Sequence, residues 1–326
     1  MDMGAHRRVA GPAILIAVVV ALATGAAAEQ TMTAAGAVGF YAVQRTPTPI
    51  RVDGSLDELG WQLAEQINGF QRILHQYGRI ERPTRAKMLW DDEALYVGFA
   101  NTDPDAWAIC ASEDDPMWTE EVVEVFIDPD GDGQAYLELE VNPLNAWVDL
   151  LVHRALPRLA ADADWDIAGL RTAVQVHGSV NDSLAADTGW TVEIAIPWAA
   201  MEGAIGGGGR PRPGDEWRLN LYRIERTGGR RLKQQIDALQ AETKPLLDQV
   251  EARLSTSSGA HRDETALTRK QRQELTRLRE RLKPLVARAE PLQKLYEDGT
   301  EYTAWSPTWR QGFHDPSRFG VVRFVE

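Results

Sequence analysis

The chain has 326 residues, of which 44% are hydrophobic and 25% are charged, as is ordinary for a globular protein of one or two domains. Its net charge of −13 argues against nucleic-acid binding and against binding to anionic membranes. Neutral ligands and cations remain as candidate partners.

The first 28 residues have the pattern of a secretory signal peptide. A basic region at residues 6–8 precedes an apolar run over 13–22 and small residues at 26–28. Because this run is too short to span a bilayer comfortably, we predict cleavage after Ala28 and export to the periplasm or the extracellular space. The exported chain should then have no membrane attachment; an uncleaved anchor is the alternative.

The chain has a single cysteine, Cys110, which excludes an intrachain disulfide.

Small and polar residues after the signal predict a linker over residues 29–48, although the end of this range already alternates like a strand. Further along, short alternating or apolar runs recur between Asp-Gly, Asp-Pro and Gly-rich turns, which is typical of an antiparallel β-sandwich. Small helices are predicted at 56–66 and 198–201. The predicted strands are 40–45, 84–90, 94–101, 122–128, 135–142, 146–153, 170–177, 189–196, 216–224, 302–306 and 318–325.

Two acidic strands are predicted between Trp118 and Asp149. Residues 122–128 alternate with period 2, and a second strand follows the glycine turn at 130–133, so the stretch forms a β-hairpin. Like charges opposed across a sheet destabilise it, so these acids need either solvent or a partner. A solvated strand face and a polar binding surface with Trp118 at its rim both remain open. The acids are Glu120, Glu121, Glu124, Asp128, Glu138 and Glu140.

The glycine turn of this hairpin is a candidate calcium site. Asp128, Asp130 and Asp132 offer hard oxygen ligands at alternate positions, as calcium requires. An EF-hand is excluded, since the twelfth position of the loop is Leu139 rather than Glu. A plain Asp-Gly turn explains the same residues without a metal.

One segment, residues 230–298, has helical rather than strand periodicity. Its leucines recur at a 3-4 spacing on either side of a polar reversal at 255–259, which predicts two long antiparallel helices packed as a coiled-coil hairpin. Thr268 and Gln271 have the spacing of a capping box, and a start near Asp263 is the alternative. Three prolines are predicted to kink or segment the helices. The segment contains 15 Lys and Arg against 11 Asp and Glu, so a protein partner or self-association through it is a further hypothesis.

An ordered set of motifs outside the helical segment is similar to those of a known family. The motifs are Ile50-Arg-Val-Asp53-Gly-Ser-Leu-Asp57-Glu-Leu-Gly-Trp61, Lys87-Met-Leu-Trp90, Trp118 to Asp128, Gly189-Trp190-Thr-Val-Glu193, Trp305-Ser-Pro-Thr-Trp309 and His314-Asp315-Pro316-Ser-Arg318-Phe319-Gly320. In this order they resemble the family 9 carbohydrate-binding modules found in xylanases and in many exported bacterial proteins, within the DOMON-like β-sandwich group. The resemblance covers about residues 49–325 apart from the insertion.

The resemblance implies a sugar-binding site. In that family two aromatic side chains clamp a terminal sugar ring, polar groups bind its hydroxyls, and calcium braces the sandwich. Matched motif by motif, Trp118 corresponds to the first aromatic, and Phe313, with Trp309 as a substitute, to the second. The binding carboxylates and the binding amide correspond to Glu124, Glu121 and Asn142, whereas Glu140 stands where the family has an arginine.

Together these observations predict an all-β antiparallel β-sandwich, jelly-roll or DOMON-like, with an inserted antiparallel α-helical coiled-coil hairpin. Residues 49–229 and 299–326 form the sandwich, and residues 230–298 form the hairpin. The predicted function is non-catalytic carbohydrate binding in polysaccharide breakdown or uptake. Two alternatives stay open: a glycoside hydrolase that uses Glu124 with Glu140 or Asp149, and a haem-binding DOMON-type redox domain with Met and His ligands such as Met88 and Met117.

Overall fold

The computed structural model describes residues 37–74, 79–155, 158–255 and 268–326. The predicted signal peptide, most of the predicted helical reversal and the alternative helix start near Asp263 lie outside these residues. The chain divides into two compact units, one made of residues up to 227 together with 301–326, and the other of residues 228–300.

The first unit is built almost entirely of strands. In the described residues these are β1 (Phe40–Arg45), β2 (Gln71–Arg72), β3 (Thr84–Trp90), β4 (Ala94–Thr102), β5 (Val122–Asp128), β6 (Gln134–Val141), β7 (Trp147–Arg154), β8 (Ala160–Asp162), β9 (Arg171–His177), β10 (Gly189–Pro197), β11 (Glu216–Glu225), β12 (Glu301–Ala304) and β13 (Gly320–Val325). Two short helices, α1 (Leu59–Leu63) and α2 (Trp198–Met201), and single 3₁₀ turns at Met117–Thr119 and Pro316–Arg318 connect them.

All these strands belong to one curled sheet. Its order is β8-β7-β6-β5-β11-β13-β1-β3-β4-β10-β9, and β12 pairs with β11 and β2 off this path. Neighbours are antiparallel except for β1, which is parallel to both β13 and β3. The β-sandwich prediction is confirmed, and the predicted strands match the observed ones closely. The short strands β2 and β8 were not predicted.

The predicted linker over residues 29–48 requires a correction. Residues 40–45 form β1, which lies between β13 and β3 in the middle of the sheet. Val43 of this strand is fully buried, and Tyr41 is nearly so, because their alternation places them in the core. The sandwich therefore begins well before residue 49.

The main core lies between the two halves of the curled sheet. It takes alternate residues from both halves, such as Val123 and Val125 of β5, Val97 and Phe99 of β4, and Trp190 of β10. Because successive side chains of a strand point to opposite faces, the residues between these on β5 point to the other side of the sheet.

That other side of β5 carries a second apolar cluster, which we call the aromatic cluster. It contains Phe126, Tyr136, Tyr222, Phe313 and Phe319, together with aliphatic residues of β5, β7 and β11. Its covering residues come from the 3₁₀ turn at Met117–Thr119 and from the loop that links β12 to β13. Both faces of β5 are therefore buried.

The second unit is a pair of helices, α3 (Gly229–Ser255) and α4 (Arg269–Asp298). Leu239 and Leu246 of α3 pack against Leu278, Leu282 and Leu285 of α4, which is the seam that the leucine spacing predicts. Ion pairs join Arg253 to Glu274 at 3.2 Å and Glu242 to Arg288 at 3.6 Å. Glu242 precedes Arg253 in α3, whereas its partner Arg288 follows Glu274 in α4, so the two helices are antiparallel. The predicted helical insertion is thus confirmed.

The ends and interiors of these helices follow their sequence. The predicted capping box is present, because the Thr268 hydroxyl accepts from the Gln271 amide and the Gln271 side chain accepts from the Thr268 amide. The prolines predicted to kink or segment the helices, Pro245, Pro284 and Pro291, leave each helix continuous. All three are exposed, so water can reach the carbonyls that they leave unbonded. None of the helices in the described ranges is long and apolar enough to cross a bilayer.

Candidate functional site

The predicted site lies on the face of β5 and β6 that points into the aromatic cluster. Glu124 is the register partner of Glu140, and Phe126 is the partner of Glu138. Directly opposed residues of antiparallel strands have Cβ atoms about 5 Å apart, and residues two apart on one strand share a face. The backbone register therefore brings the carboxylates of Glu124, Glu138 and Glu140 together, and we call these three residues the glutamate triad.

The glutamate triad is buried, and none of the lysines or arginines in the described ranges forms an ion pair with it. One carboxylate oxygen from each residue lies within 4.8 Å of the other two, and no member is more than 4% exposed. Burial raises the pKa of Glu124 and of Glu140 well above the usual range, and repulsion from the neighbouring triad members raises both further. Burial also raises the pKa of Glu138.

His314 and Tyr136 border the triad. The Tyr136 hydroxyl is 2.8 Å from Nδ1 of His314, and Nε2 of His314 is 3.9 Å from Glu138. Burial lowers the pKa of His314 to about 4, so its imidazole is neutral at physiological pH. We conclude that His314 does not balance the charge of the triad.

Glu121 belongs to a different acidic group on the opposite face of the sheet. Carboxylate oxygens of Asp103, Glu121 and Glu225 also lie within 4.8 Å of one another, and all three residues are buried. Here a fully buried arginine, Arg223, lies 3.1 Å from Asp103 and also pairs with Glu225. We call this set the arginine-balanced triad. The structure does not bring Glu121 together with Glu124.

The contacts of Glu121 show what the arginine-balanced triad does. Its two carboxylate oxygens accept the amides of Trp107 and Arg226, each at 3.3 Å. Asp103 in turn accepts the indole N–H of Trp190 at 3.0 Å. These bonds tie the loop after β4 and the end of β11 to the start of β5, so the triad is structural.

The two predicted clamp aromatics, Trp118 and Phe313, both reach the aromatic cluster. Trp118 lies in the 3₁₀ turn before β5, is half-buried and packs against the cluster edge. Phe313 is buried and stacks on Tyr222, with ring centroids 4.3 Å apart and an interplanar angle of 14°. The Tyr222 hydroxyl also donates to the Phe313 carbonyl at 2.8 Å. Phe313 is thus fixed as part of the cluster.

Trp309, the substitute for Phe313, lies four residues earlier in the same loop. It is half-buried, and its φ of 56° lies in the left-handed region, which is unusual for a bulky side chain. Strained backbone of this kind costs about 1–3 kcal/mol and concentrates at functional sites. Trp309 therefore fits a binding role better than Phe313 does.

The amide of Asn142 is already occupied within the protein. Its Nδ2 donates to the Cys110 carbonyl at 2.8 Å, and its Oδ1 accepts the amides of Leu144 and Ala146. Asn142 is fully buried. It closes the turn between β6 and β7, and its burial keeps it away from a ligand in solvent.

The predicted calcium loop brings its three aspartates together. Oxygens of Asp128, Asp130 and Asp132 lie within 4.8 Å of one another, and Asp130 and Asp132 are exposed. The two Asp128 oxygens accept the amides of Gly131 and Gly133 at 3.1 and 3.0 Å. These bonds are those of an Asp-Gly turn, yet each carboxylate oxygen keeps a second lone pair. The donor set therefore fits calcium, and the ion stays a prediction.

The sequence did not reveal that the acidic residues form two separate buried groups on opposite faces of the sheet. Glu138 and Glu140 were recognised as charged strand residues, but their burial with Glu124 was not predicted. Their alternation with Leu137, Leu139 and Val141 is the pattern of a solvated face. The signal that was available is the register of the hairpin, which places Glu124 opposite Glu140.

About half of the chain matches the sequence model of a known family. The sequence model of the family described as carbohydrate family 9 binding domain-like matches residues 52–208. This range contains Trp118, the glutamate triad and the calcium loop. None of the curated proteins compared with this chain matches it.

Several solved structures match this chain at low sequence identity. A candidate carbohydrate-binding protein from Bacteroides uniformis is 12% identical, with 88% of this chain and 100% of that chain covered and a TM-score of 0.52. A family 9 carbohydrate-binding module from Caldicellulosiruptor kristjanssonii in complex with cellotriose is 16% identical, with 88% and 93% covered and a TM-score of 0.46. A module of that family and organism in complex with glucose is 15% identical, with 87% and 94% covered and a TM-score of 0.44.

At 12% identity, the likeness to the Bacteroides uniformis protein supports the fold alone. The sequence match to the family model begins within the opening motif and includes the acidic hairpin. The resemblance drawn from the motifs is thereby confirmed, because residues 52–208 match the model of the carbohydrate family 9 binding domain-like family.

Proposed function

We propose that this protein is exported and binds a carbohydrate, holding a sugar or glycan end against aromatic side chains during polysaccharide breakdown or uptake. The observation that carries the proposal is the match of residues 52–208 to a carbohydrate-binding family. The arrangement of aromatic side chains on the face of β5 supports it.

The half-buried tryptophans supply the chemistry that such a ligand needs. The C–H faces of a sugar ring are apolar and stack on flat aromatic rings, while the hydroxyl edge needs polar partners. Trp118 offers a partly exposed ring at the edge of the aromatic cluster, and Trp309 offers another in the loop that carries Phe313. We therefore place the sugar against Trp118, with Trp309 as the candidate for the second aromatic contact and Glu124 on the sheet face that the aromatic cluster covers.

The two alternative functions gain less support from the structure. A glycosidase needs two carboxylates that reach the scissile bond, whereas Glu124 and Glu140 are each only 1% exposed. For the haem alternative, Met88 belongs to the main core and Met117 to the aromatic cluster. These two methionines therefore lie on opposite sides of the sheet.

Calorimetric titration with glucose, xylose and their oligosaccharides tests the proposal. For the saccharide that binds, Trp118→Ala should lower affinity about 30-fold, since a buried tryptophan contact is worth about 2 kcal/mol. Trp165→Ala is the matched control, because Trp165 is also half-buried but packs against the main core. Circular dichroism checks that both variants are folded. The proposal fails if the folded wild type gives no heat with any saccharide, or if Trp118→Ala binds as well as Trp165→Ala.

Three expectations accompany this proposal. Export would be tested by sequencing the N-terminus of the mature protein, which should begin at Glu29. Calcium at Asp128, Asp130 and Asp132 would brace the turn between β5 and β6. Self-association or partner binding through residues 230–298 would appear as a change in oligomeric state when that segment is replaced by a short linker.

A further inference from the structure

We propose that the glutamate triad, Glu124, Glu138 and Glu140, holds a divalent metal cation of the calcium type inside the aromatic cluster. This site is distinct from the predicted calcium loop at Asp128, Asp130 and Asp132. The proposal does not depend on sugar binding, because the metal is measured without any saccharide.

Convergence of the three carboxylates is built into the strands. Glu124 and Glu140 are direct partners across β5 and β6, and Glu138 lies two residues from Glu140 on the same face. One oxygen from each lies within 4.8 Å of the others. Calcium binds carboxylate oxygens at about 2.3–2.6 Å, so oxygens around one ion are separated by no more than about 5 Å. The spacing therefore suits a single shared ion.

Each member of the triad also has one buried oxygen that makes no hydrogen bond within the described residues. These oxygens are Oε1 of Glu124, Oε2 of Glu138 and Oε2 of Glu140. Leaving a buried polar atom without a partner is unfavourable by about 1–3 kcal/mol, and by more for a charged one. Three converging carboxylates, each with a buried acceptor that lacks a hydrogen bond, form a donor set that suits a hard cation.

The arginine-balanced triad shows how the same protein treats buried acids elsewhere. Asp103, Glu121 and Glu225 meet at a similar spacing on the opposite face of the sheet, where the guanidinium of Arg223 lies among them. At the glutamate triad, the ion-pair distance found within the described residues is that of the neutral His314, at 3.9 Å from Glu138. The described residues thus supply no counterpart of Arg223 on this face, and a bound cation would supply the positive charge.

The walls of the site strengthen this argument. Phe126, Tyr136, Tyr222 and Phe319 pack together around the strands, with the Phe126 and Tyr222 rings 5.0 Å apart. In such an apolar setting the repulsion between carboxylates and their attraction to a cation are both stronger than in water. Protons are the alternative occupants, since a protonated carboxyl needs no counter-charge. The experiment must therefore separate a metal from protons.

Metal content of the full chain provides the first test. Wild type and variants are stripped with EDTA, dialysed against calcium chloride at pH 7.5 and analysed by mass spectrometry of the metal. Wild type should retain one more equivalent of calcium than Glu140→Gln. Glu121→Gln is the matched control, because it removes a buried glutamate from the arginine-balanced triad, and it should retain as much as wild type. The double variant Asp130→Asn with Asp132→Asn removes ligands from the predicted calcium loop alone, so it should still retain the equivalent of calcium that is bound by the glutamate triad.

Thermal unfolding provides the second test. At a calcium concentration about 100 times the dissociation constant, binding should raise the unfolding temperature of wild type and of Glu121→Gln by on the order of 5 °C. Glu140→Gln should show no rise from this site, although removal of one carboxyl should stabilise its metal-free form. Equal calcium content in wild type and Glu140→Gln would show that the triad holds protons instead, and would overturn the proposal.

A crystal of the wild type soaked with manganese covers the case in which Glu140→Gln does not fold. An anomalous peak among the three glutamates supports the proposal. A peak confined to Asp128, Asp130 and Asp132, or no peak at all, refutes it. Sugar binding, measured separately, can fail without affecting any of these outcomes.

Discussion

Replacing Arg223 by methionine should reveal how much the arginine-balanced triad depends on its one positive charge. Arg223 is fully buried and donates to Asp103 at 3.1 Å, to Glu225 and to the Thr102 carbonyl at 3.3 Å. Its guanidinium also lies 5.5 Å from the centre of the Trp190 ring. Methionine keeps an unbranched side chain but removes the charge and the donors.

The expected loss of stability is about 4 kcal/mol at pH 8. Removing one partner of a buried ion pair typically costs about 3–5 kcal/mol, because the remaining charge stays buried without compensation. Small domains are stable by about 5–15 kcal/mol, so the variant should still fold.

The loss should shrink as the pH falls. Burial raises the pKa of Glu225 above its usual value, and Arg223 opposes this rise, so removal of Arg223 should raise that pKa further. An acid whose pKa is higher in the folded state destabilises the protein above that pKa and not below its unfolded value. Each pH unit is worth about 1.4 kcal/mol per proton. The deficit should therefore be largest at pH 8 and clearly smaller at pH 5.

Urea unfolding followed by tryptophan fluorescence, with EDTA present at both pH values, measures this effect. Arg218→Met is the matched control on the same strand. Arg218 is half-buried, and its side chain donates to the Phe319 carbonyl at 3.0 Å and forms no ion pair within the described residues. This replacement should cost about 1 kcal/mol at both pH values. Adding Glu225→Gln to Arg223→Met should recover part of the loss. A loss below 1 kcal/mol at pH 8, or an equal loss at pH 5 and pH 8, would refute the reasoning.

Two further predictions concern other parts of the chain. Glu193→Ala should destabilise the sandwich by about 4 kcal/mol in urea unfolding. The Glu193 carboxylate accepts hydrogen bonds from the Trp61 indole and from the Asp53 and Gly54 amides, each at 2.8 Å. Equal stability of the variant and the wild type would contradict this prediction. Leu282→Ala should cost the helical hairpin about 2–3 kcal/mol. Circular dichroism at 222 nm should show that the helices of the variant unfold at a lower temperature than those of the wild type. An unchanged unfolding temperature would contradict the expectation.

Most of the sandwich could be predicted because its strands carry their own signal. Residues 84–90, 122–128 and 198–201 were assigned with the observed bounds, since alternation, turn glycines and a proline before α2 are all local features. The helical hairpin was equally visible in its leucine spacing. The strands β2 and β8 have only two and three residues, too few for a period to show, and the parallel pairing of β1 depends on distant strands.

The candidate site was predicted less completely because burial of its acids is a long-range property. Glu124, Glu138 and Glu140 alternate with apolar residues, and charged residues in that pattern usually face water. Here their face is covered by a loop far along the chain, as the contact between Tyr136 and His314 illustrates. The residues around the three glutamates do not indicate that a distant loop buries them. The same limitation applies to Glu121 and Asn142, whose bonds to distant backbone groups could not be foreseen.

Burial of both faces of β5 limits where a saccharide could bind. The main core covers one face and the aromatic cluster covers the other, so a sugar ring cannot lie flat on the strand itself. Access is left to the edge of the aromatic cluster, where Trp118 is half-buried, and to the neighbouring loop of Trp309. If a cation occupies the glutamate triad, it would fix the strands behind that edge. Binding should then depend on Trp118 directly and on Glu124 only through the position of the cluster.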